Sequence, residues 1–130
     1  MTRAAMERGK RAEQAVCRLI EEHTGWKVRR RLAGRVDDVG DLEGVPETCV
    51  QIKSYQNITL GLSEGMRELP AQTAAAGARY GVLFLKRRGP NWVVCMEPET
   101  FFALLREATD VPFTVSPHPR PLIEVLADDQ

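Results

Sequence analysis

Apolar positions recur every three to four residues over about residues 3 to 23, at Met6, Gly9, Ala12, Val16, Leu19 and Ile20. That spacing lines one face of a helix, and Thr24-Gly25 supplies its stop. The pattern then shortens. Trp26 to Arg31 alternates as a first strand, and Leu32 to Gly40 reads as a loop with Gly34, Gly40 and two aspartates. Asp41 to Val45 makes a short second strand, Pro46-Glu47 turns the chain, and Thr48 to Tyr55 is a β-branched third strand. A helical period returns over residues 62–77, with Leu62, Met66, Leu69, Thr73 and Ala76 expected to face the sheet. Ser63 reads as its N-cap, and Pro70 is expected to kink or split it. Tyr80 to Leu85 is a buried strand, Arg88-Gly89-Pro90-Asn91 a hairpin turn, and Trp92 to Met96 its partner. Pro98 to Ala108 is a third helix, followed by a tail with Pro112, Pro117, Pro119 and Pro121 and an unassigned apolar stretch, Leu122 to Leu126. The order α-β-β-β-α-β-β-α predicts an α/β fold: one mixed sheet flanked by helices.

A length of 130 residues fits one domain, with a core over about residues 5–108 and a tail, 109–130, left for an interface. No apolar run reaches the roughly 20 residues a membrane span requires. The first residues lack the apolar stretch of a secretion signal, so the expected location is the cytoplasm. Cys17, Cys49 and Cys95 are odd in number and widely spaced, which argues against a disulfide scaffold or zinc ribbon and for a reducing compartment. With only His23 and His118, chemistry built on a histidine cluster is excluded.

The zero net charge conceals a gradient. Residues 1–36 carry +6, residues 37–96 carry −1 and residues 97–130 carry −5. A basic first quarter on a neutral chain predicts a face for a polyanion, although a solvated surface has the same composition.

Candidate chemistry gathers on the third strand. Gln51 and Lys53 are two residues apart and share a face, while Val50 and Ile52 point to the other. Asp41 opens the second strand after a glycine, where a carboxylate reaches solvent. Glu13 falls on the helix stripe that faces the sheet, a costly place for a charge unless it is paired or metal-bound. Each residue also has a plainer reading. Glu13 would pair with an arginine such as Arg30, Asp41 would cap a turn, and Gln51 with Lys53 would form a polar strand face.

Glu13, Asp41 and Gln51-Ile52-Lys53, in this order along αβββαβ, resemble the PD-(D/E)XK nuclease superfamily, which has the restriction-endonuclease-like fold. Gly9-Lys10-Arg11-Ala12-Glu13, Gly25 to Arg30 and Gly40-Asp41-Leu42 are similar to Holliday junction resolvases of the archaeal and actinobacteriophage type, and Leu85 to Gly89 resembles the phage group. The resemblance covers residues 5–96. It implies a Mg²⁺-dependent endonuclease, with Mn²⁺ as a substitute, that hydrolyses phosphodiester bonds in branched DNA as a homodimer. Catalysis would rest on Glu13, Asp41, Gln51 and Lys53. Asp41, Gln51 and the Ile52 carbonyl would hold the ion, with Glu13 acting through a water or a second ion. The chain departs from the pattern at Gln51, where the superfamily usually has a carboxylate. Some transposon end-cleaving nucleases resemble it in using Gln-x-Lys, and Asp38 is a candidate for the missing charge. Lys53 beside carboxylates is expected to remain protonated and to act electrostatically.

Phosphate contacts are expected from Lys10, Arg11, Arg29, Arg30, Arg31 and Arg35 around this pocket, and from Lys86, Arg87 and Arg88 at the hairpin tip. The triplet reads equally as a solubilising turn. No recognition helix or aromatic series is visible, so shape rather than base sequence would be read. A duplex-DNA or DNA-end nuclease of the same fold, and a binding module weakened by Gln51, are the competing functions. Trp26, Trp92, Phe113 and Leu122 to Leu126 are the candidate dimer contacts. Gly61-Leu62-Ser63-Glu64-Gly65 matches a hydrolase elbow in letters only, because it lacks the preceding long strand and the downstream acid and histidine. Cys49 shares the Gln51 and Lys53 face but has no histidine partner that would make it a nucleophile.

Overall fold

The Thr2 hydroxyl accepts the Ala5 N–H at 3.1 Å and opens α1, Arg3–Thr24. Gly25 closes it in a left-handed conformation, its N–H bonded to the Glu21 carbonyl. A computed structural model describes residues 2–31 and 38–110 of the chain. After α1 come β1 (Arg29–Arg30), β2 (Leu42–Glu43), β3 (Thr48–Lys53), α2 (Ile58–Ala75), β4 (Tyr80–Lys86), β5 (Trp92–Cys95) and α3 (Pro98–Asp110). The fold is α/β, with a mixed three-stranded sheet flanked by helices.

The order within that sheet is β3-β4-β5. The α2 crossover makes β3 and β4 parallel, with Thr48 opposite Tyr80 and Lys53 opposite Leu85. The hairpin after β4 makes β5 antiparallel, with Leu83 opposite Cys95. Alternation along β3 divides the interior in two. Val50 and Ile52 pack with Ala12, Val16, Cys17 and Ile20 of α1, and with Val28, Leu42 and Val82. On the opposite face, Cys49 packs with Leu69 and Leu83 under α2.

The expected single sheet is instead two ladders. β1 and β2 form a separate antiparallel pair, Arg29 opposite Glu43 and Arg30 opposite Leu42. Asp41 joins the ladders through its backbone: its N–H donates to the Val50 carbonyl at 2.8 Å, and its carbonyl accepts from Arg31 at 3.0 Å. Gly40 precedes it at φ +91°, and a Cβ there would stand 2.9 Å from both Cys49 Sγ and the Val50 carbonyl oxygen. Only glycine permits that approach, which fixes where Asp41 begins.

The second helix also differs from expectation. It starts at Ile58, capped by Asn57, whose side chain accepts from Leu60 N–H at 3.0 Å. Ser63 therefore lies inside the helix and caps nothing. Its buried face is Gly61, Gly65, Leu69 and Gln72, while Leu62 is exposed. A Cβ on Gly65 would come within 2.7 Å of both Leu83 methyl groups, so glycine lets the helix approach the sheet closely. Pro70 neither splits nor ends the helix. It sits on the exposed side, where the carbonyl its ring deprives of a donor is not forced into the core. Met6 on α1 is likewise exposed rather than core.

α3 contains no buried residue, and Phe101, Phe102 and Leu105 are exposed. Arg79 forms an ion pair with Glu107 on this helix. No helix among the described residues is long and apolar enough to cross a membrane. Arg35, Phe113 and Leu122 to Leu126 lie outside the described residues.

Candidate active site

Glu13, Asp41, Gln51, Ile52 and Lys53 line one cavity of about 370 Å³, together with Lys10, Arg30 and Tyr55. Three elements and a strand junction build it. α1 delivers Lys10 and Glu13, β1 delivers Arg30, β3 delivers Gln51 to Lys53, and the seam before β2 delivers Asp41.

One carboxylate oxygen of Asp41 accepts the Ile52 N–H at 2.8 Å. Burial pushes the Asp41 carboxyl up to about 6. The Ile52 N–H and the Lys53 charge oppose that rise, while Glu13 and Asp38 add to it. Asp41 thus does more than cap a turn: its backbone ties the ladders and its side chain borders the cavity. Because the Ile52 N–H points to Asp41 rather than to β4, its carbonyl points the same way in an extended strand.

Gln51 is 6% exposed, and its Oε1 is buried without a hydrogen-bond partner among the described residues. Leaving such an acceptor unpaired costs about 1–3 kcal/mol. Sequence alternation placed Gln51 on the polar side of β3, and the structure adds that this side is covered.

Lys53 Nζ lies 3.1 Å from Glu68 Oε2 and donates at 3.5 Å to the Tyr55 hydroxyl. Tyr55 in turn donates to Glu64 at 2.7 Å. Burial draws the Lys53 pKa down, but the hydrogen bond and charge of Glu68, with Tyr55, leave it above its ordinary value. Lys53 is therefore a cation near neutral pH. Its carboxylate neighbour is Glu68, which the sequence reading missed. The signal was available in Glu64 and Glu68, four apart on one face of α2.

Glu13 forms the arginine pair foreseen as its alternative: Arg30 Nε stands 2.5 Å from its Oε2. The other strand arginines are also paired, Arg29 to Glu43 at 3.3 Å and Arg31 to Glu43 at 3.8 Å. Cross-strand register places Glu43 opposite Arg29, and alternation puts Arg31 on the same face. Asp38 is exposed outside the cavity lining and accepts from Gln72 at 2.7 Å and from Gly40 N–H at 3.3 Å. Among the described residues no three histidine, cysteine, aspartate or glutamate side chains cluster as a metal site. The oxygen donors at the cavity are instead mixed: one carboxylate, one unpartnered amide oxygen and one backbone carbonyl. That set fits a hard divalent cation, which takes oxygen ligands and tolerates neutral ones.

Arg87 and Arg88 are exposed at the hairpin and line a second cavity with Tyr55, Ile58 and Lys86. Lys86 donates to the Gly89 carbonyl within the turn. Arg11 faces away from the Asp41 cavity into a third, between α1 and the hairpin. Arg8 and Arg18 flank it and were not singled out in the sequence, although Arg8, Arg11 and Arg18 recur at helical spacing.

No family model, no curated protein and no solved structure matches this chain.

Proposed function

We propose that the chain is a Mg²⁺-dependent structure-selective DNA endonuclease of the PD-(D/E)XK type, and specifically a Holliday junction resolvase. The observation that carries the reading is the buried, unpartnered Gln51 Oε1, set in the same cavity as Asp41 and the protonated Lys53. Four buried side-chain polar atoms lack a partner among the described residues: Arg31 Nε, Gln51 Oε1, Gln72 Oε1 and Tyr80 Oη. Only Gln51 Oε1 belongs to a residue lining the Asp41 cavity, where a partner is called for beside a carboxylate of raised pKa. A divalent cation on Asp41, Gln51 Oε1 and the Ile52 carbonyl would be that partner, and when bound it supplies Lewis acidity and an activated water. The residues do the rest. Lys53 offers a fixed positive charge to the phosphate, and Glu68 and Tyr55 hold its ammonium in place. Asp41, largely ionised at neutral pH with a pKa of about 6, would be the one charged ligand. Lys10 and the exposed Arg87 and Arg88 are left for phosphates.

A homodimer suits a two-fold junction that needs two nicks. Exposed Phe101, Phe102 and Leu105 on α3 provide apolar surface for such a contact. Trp92 is half-buried against the core and is the weaker interface candidate, while Trp26 is 44% exposed.

A second reading draws on the ion pairs. Arg30 on Glu13 and Glu68 on Lys53 neutralise two of the four proposed catalytic groups, as in a binding module without catalysis. Incubation of labelled four-way, forked and linear DNA with Mg²⁺, Mn²⁺ or EDTA separates the readings. Paired symmetric nicks confined to the junction are expected. Cuts in linear or forked DNA select a same-fold nuclease of other specificity. Junction binding without cutting in either metal selects the module. Asp41→Asn and Lys53→Ala are each expected to abolish cleavage while junction binding stays within a few-fold.

A further inference from the structure

The largest cavity among those described is not the one that holds Asp41. It lies between α1 and the β4–β5 hairpin, encloses about 510 Å³, and is walled by Leu19 and Trp92 with Ala12 and Ala15 as its floor. Its size falls within the range of pockets for small ligands. The small α1 residues leave the space, and the indole forms a firm wall because Trp92 is packed against the core from behind. Lys86 Nζ stands 5.7 Å from the indole centroid, held by the Gly89 carbonyl.

The rim is cationic. Arg8, Arg11 and Arg18 project from one flank of α1, and Lys86 faces them from the hairpin. None of the three arginines forms an ion pair among the described residues. Glu22 is the one carboxylate in the lining. An apolar, aromatic interior beneath a phosphate-ready rim complements a base joined to a phosphodiester.

The groove is also connected to the Asp41 cavity. Arg8 and Ser54 line both, and they line the intervening cavity at Arg87 and Arg88 as well. A strand crossing Arg8 would therefore have one phosphate near Lys53 and a neighbouring nucleotide at Trp92. A paired base cannot enter such a pocket without leaving its stack, so an intact duplex is a poor occupant.

We propose that this groove captures an unpaired nucleotide of the DNA strand whose backbone passes the Asp41 cavity, the base packing on Trp92 and the adjoining phosphates resting on Arg8, Arg11 and Arg18. The assignment rests on the nuclease reading for its second half, the alignment of that strand with Asp41. It explains how a small domain selects branched or frayed DNA without a base-reading element. Only DNA with an unpaired nucleotide offers a base to the groove.

The test uses binding in EDTA, so that cleavage plays no part. In a Trp26→Phe protein, Trp92 is the only tryptophan and its fluorescence reports on the groove. Titration with a short oligothymidylate is expected to quench Trp92. A blunt duplex of equal length and thymidine monophosphate are expected to leave it unchanged at the same concentrations. Arg11→Glu with Arg18→Glu, both exposed positions, is expected to weaken oligothymidylate binding tenfold or more with an unaltered circular dichroism spectrum. Trp92→Leu is expected to weaken it about tenfold, as loss of one stacked base does. Absence of quenching by the single strand, equal quenching by the duplex or the mononucleotide, or unchanged affinity in the arginine double variant would each overturn the proposal. Junction nicking with an unperturbed Trp92 refutes the groove and leaves the nuclease. Quenching by single strands in a protein that cuts no DNA refutes the nuclease and leaves the groove.

Discussion

Asp41 holds its proton more tightly in the folded chain than the ordinary value of 3.8 allows, with a pKa of about 6. The sign is the reverse of a salt-bridged aspartate. Between pH 4 and 6 the folded state binds more protons than the unfolded one, so stability falls as pH rises and the full cost stands above pH 6. About two pKa units correspond to a cost on the order of 2–3 kcal/mol. Asp41→Asn is expected to be near neutral at pH 4 and more stable than the parent by that amount at pH 7, as read from urea midpoints at both pH values. An unchanged difference across this range would mean that Asp41 is not buried as described. Gln51→Glu acts in the opposite direction by placing a second carboxylate beside the first. The metal-free variant is expected to melt several degrees lower and to regain more of its melting temperature than the parent on adding Mg²⁺. Its cleavage is expected to be retained, or raised at low Mg²⁺. These residues were legible because alternation along one strand and a Gly-Asp start are local signals. Glu64 and Glu68 carried only their four-residue spacing, which does not say that they reach Lys53 and Tyr55, and Glu43 meets Arg29 and Arg31 only through cross-strand pairing.

At the scale of elements, the order along the chain was readable from periodicity, while the working face of α2 was readable only in part. Leu69, Met66 and Ala76 do face the sheet as expected, but hydropathy gives glycine little weight, so Leu62 was expected inward where Gly61 and Gly65 make the close approach to β4. β1 and β2 were foreseen as strands but at too great a length, because Trp26 to Arg31 alternates over a stretch that the ladder uses only at Arg29 and Arg30. Their separation from the main sheet was not foreseen. Gly65→Ala tests the glycine face. Its Cβ meets two Leu83 methyl groups at 2.7 Å, and overpacking of that kind costs about 1–3 kcal/mol. A shift of the urea midpoint with unchanged slope is expected, despite the better helix propensity of alanine. A neutral or stabilising result would show that α2 moves outward freely.

For the whole molecule, α3 is the element that a lone chain least accounts for. Phe101, Phe102 and Leu105 are 48%, 58% and 45% exposed, three large apolar side chains on one helix. Sedimentation equilibrium is expected to give twice the 14.6 kDa chain mass, and Phe101→Glu with Phe102→Glu is expected to return it to one. A parent that sediments as a single chain would remove the dimer from the reading. The division of the interior by β3 has a kinetic consequence as well. Cys17 sits in the core under α1, Cys49 in the one under α2, and Cys95 is half-buried on the edge strand. Burial raises the pKa of all three thiols, so each stays largely a thiol at neutral pH and reacts slowly until its surroundings open. Alkylation under native conditions then clocks three separate openings. Cys95 is expected to label first, and the gap between Cys17 and Cys49 measures which helix lifts from the sheet more readily. Equal rates for all three would mean that the chain opens only as a unit.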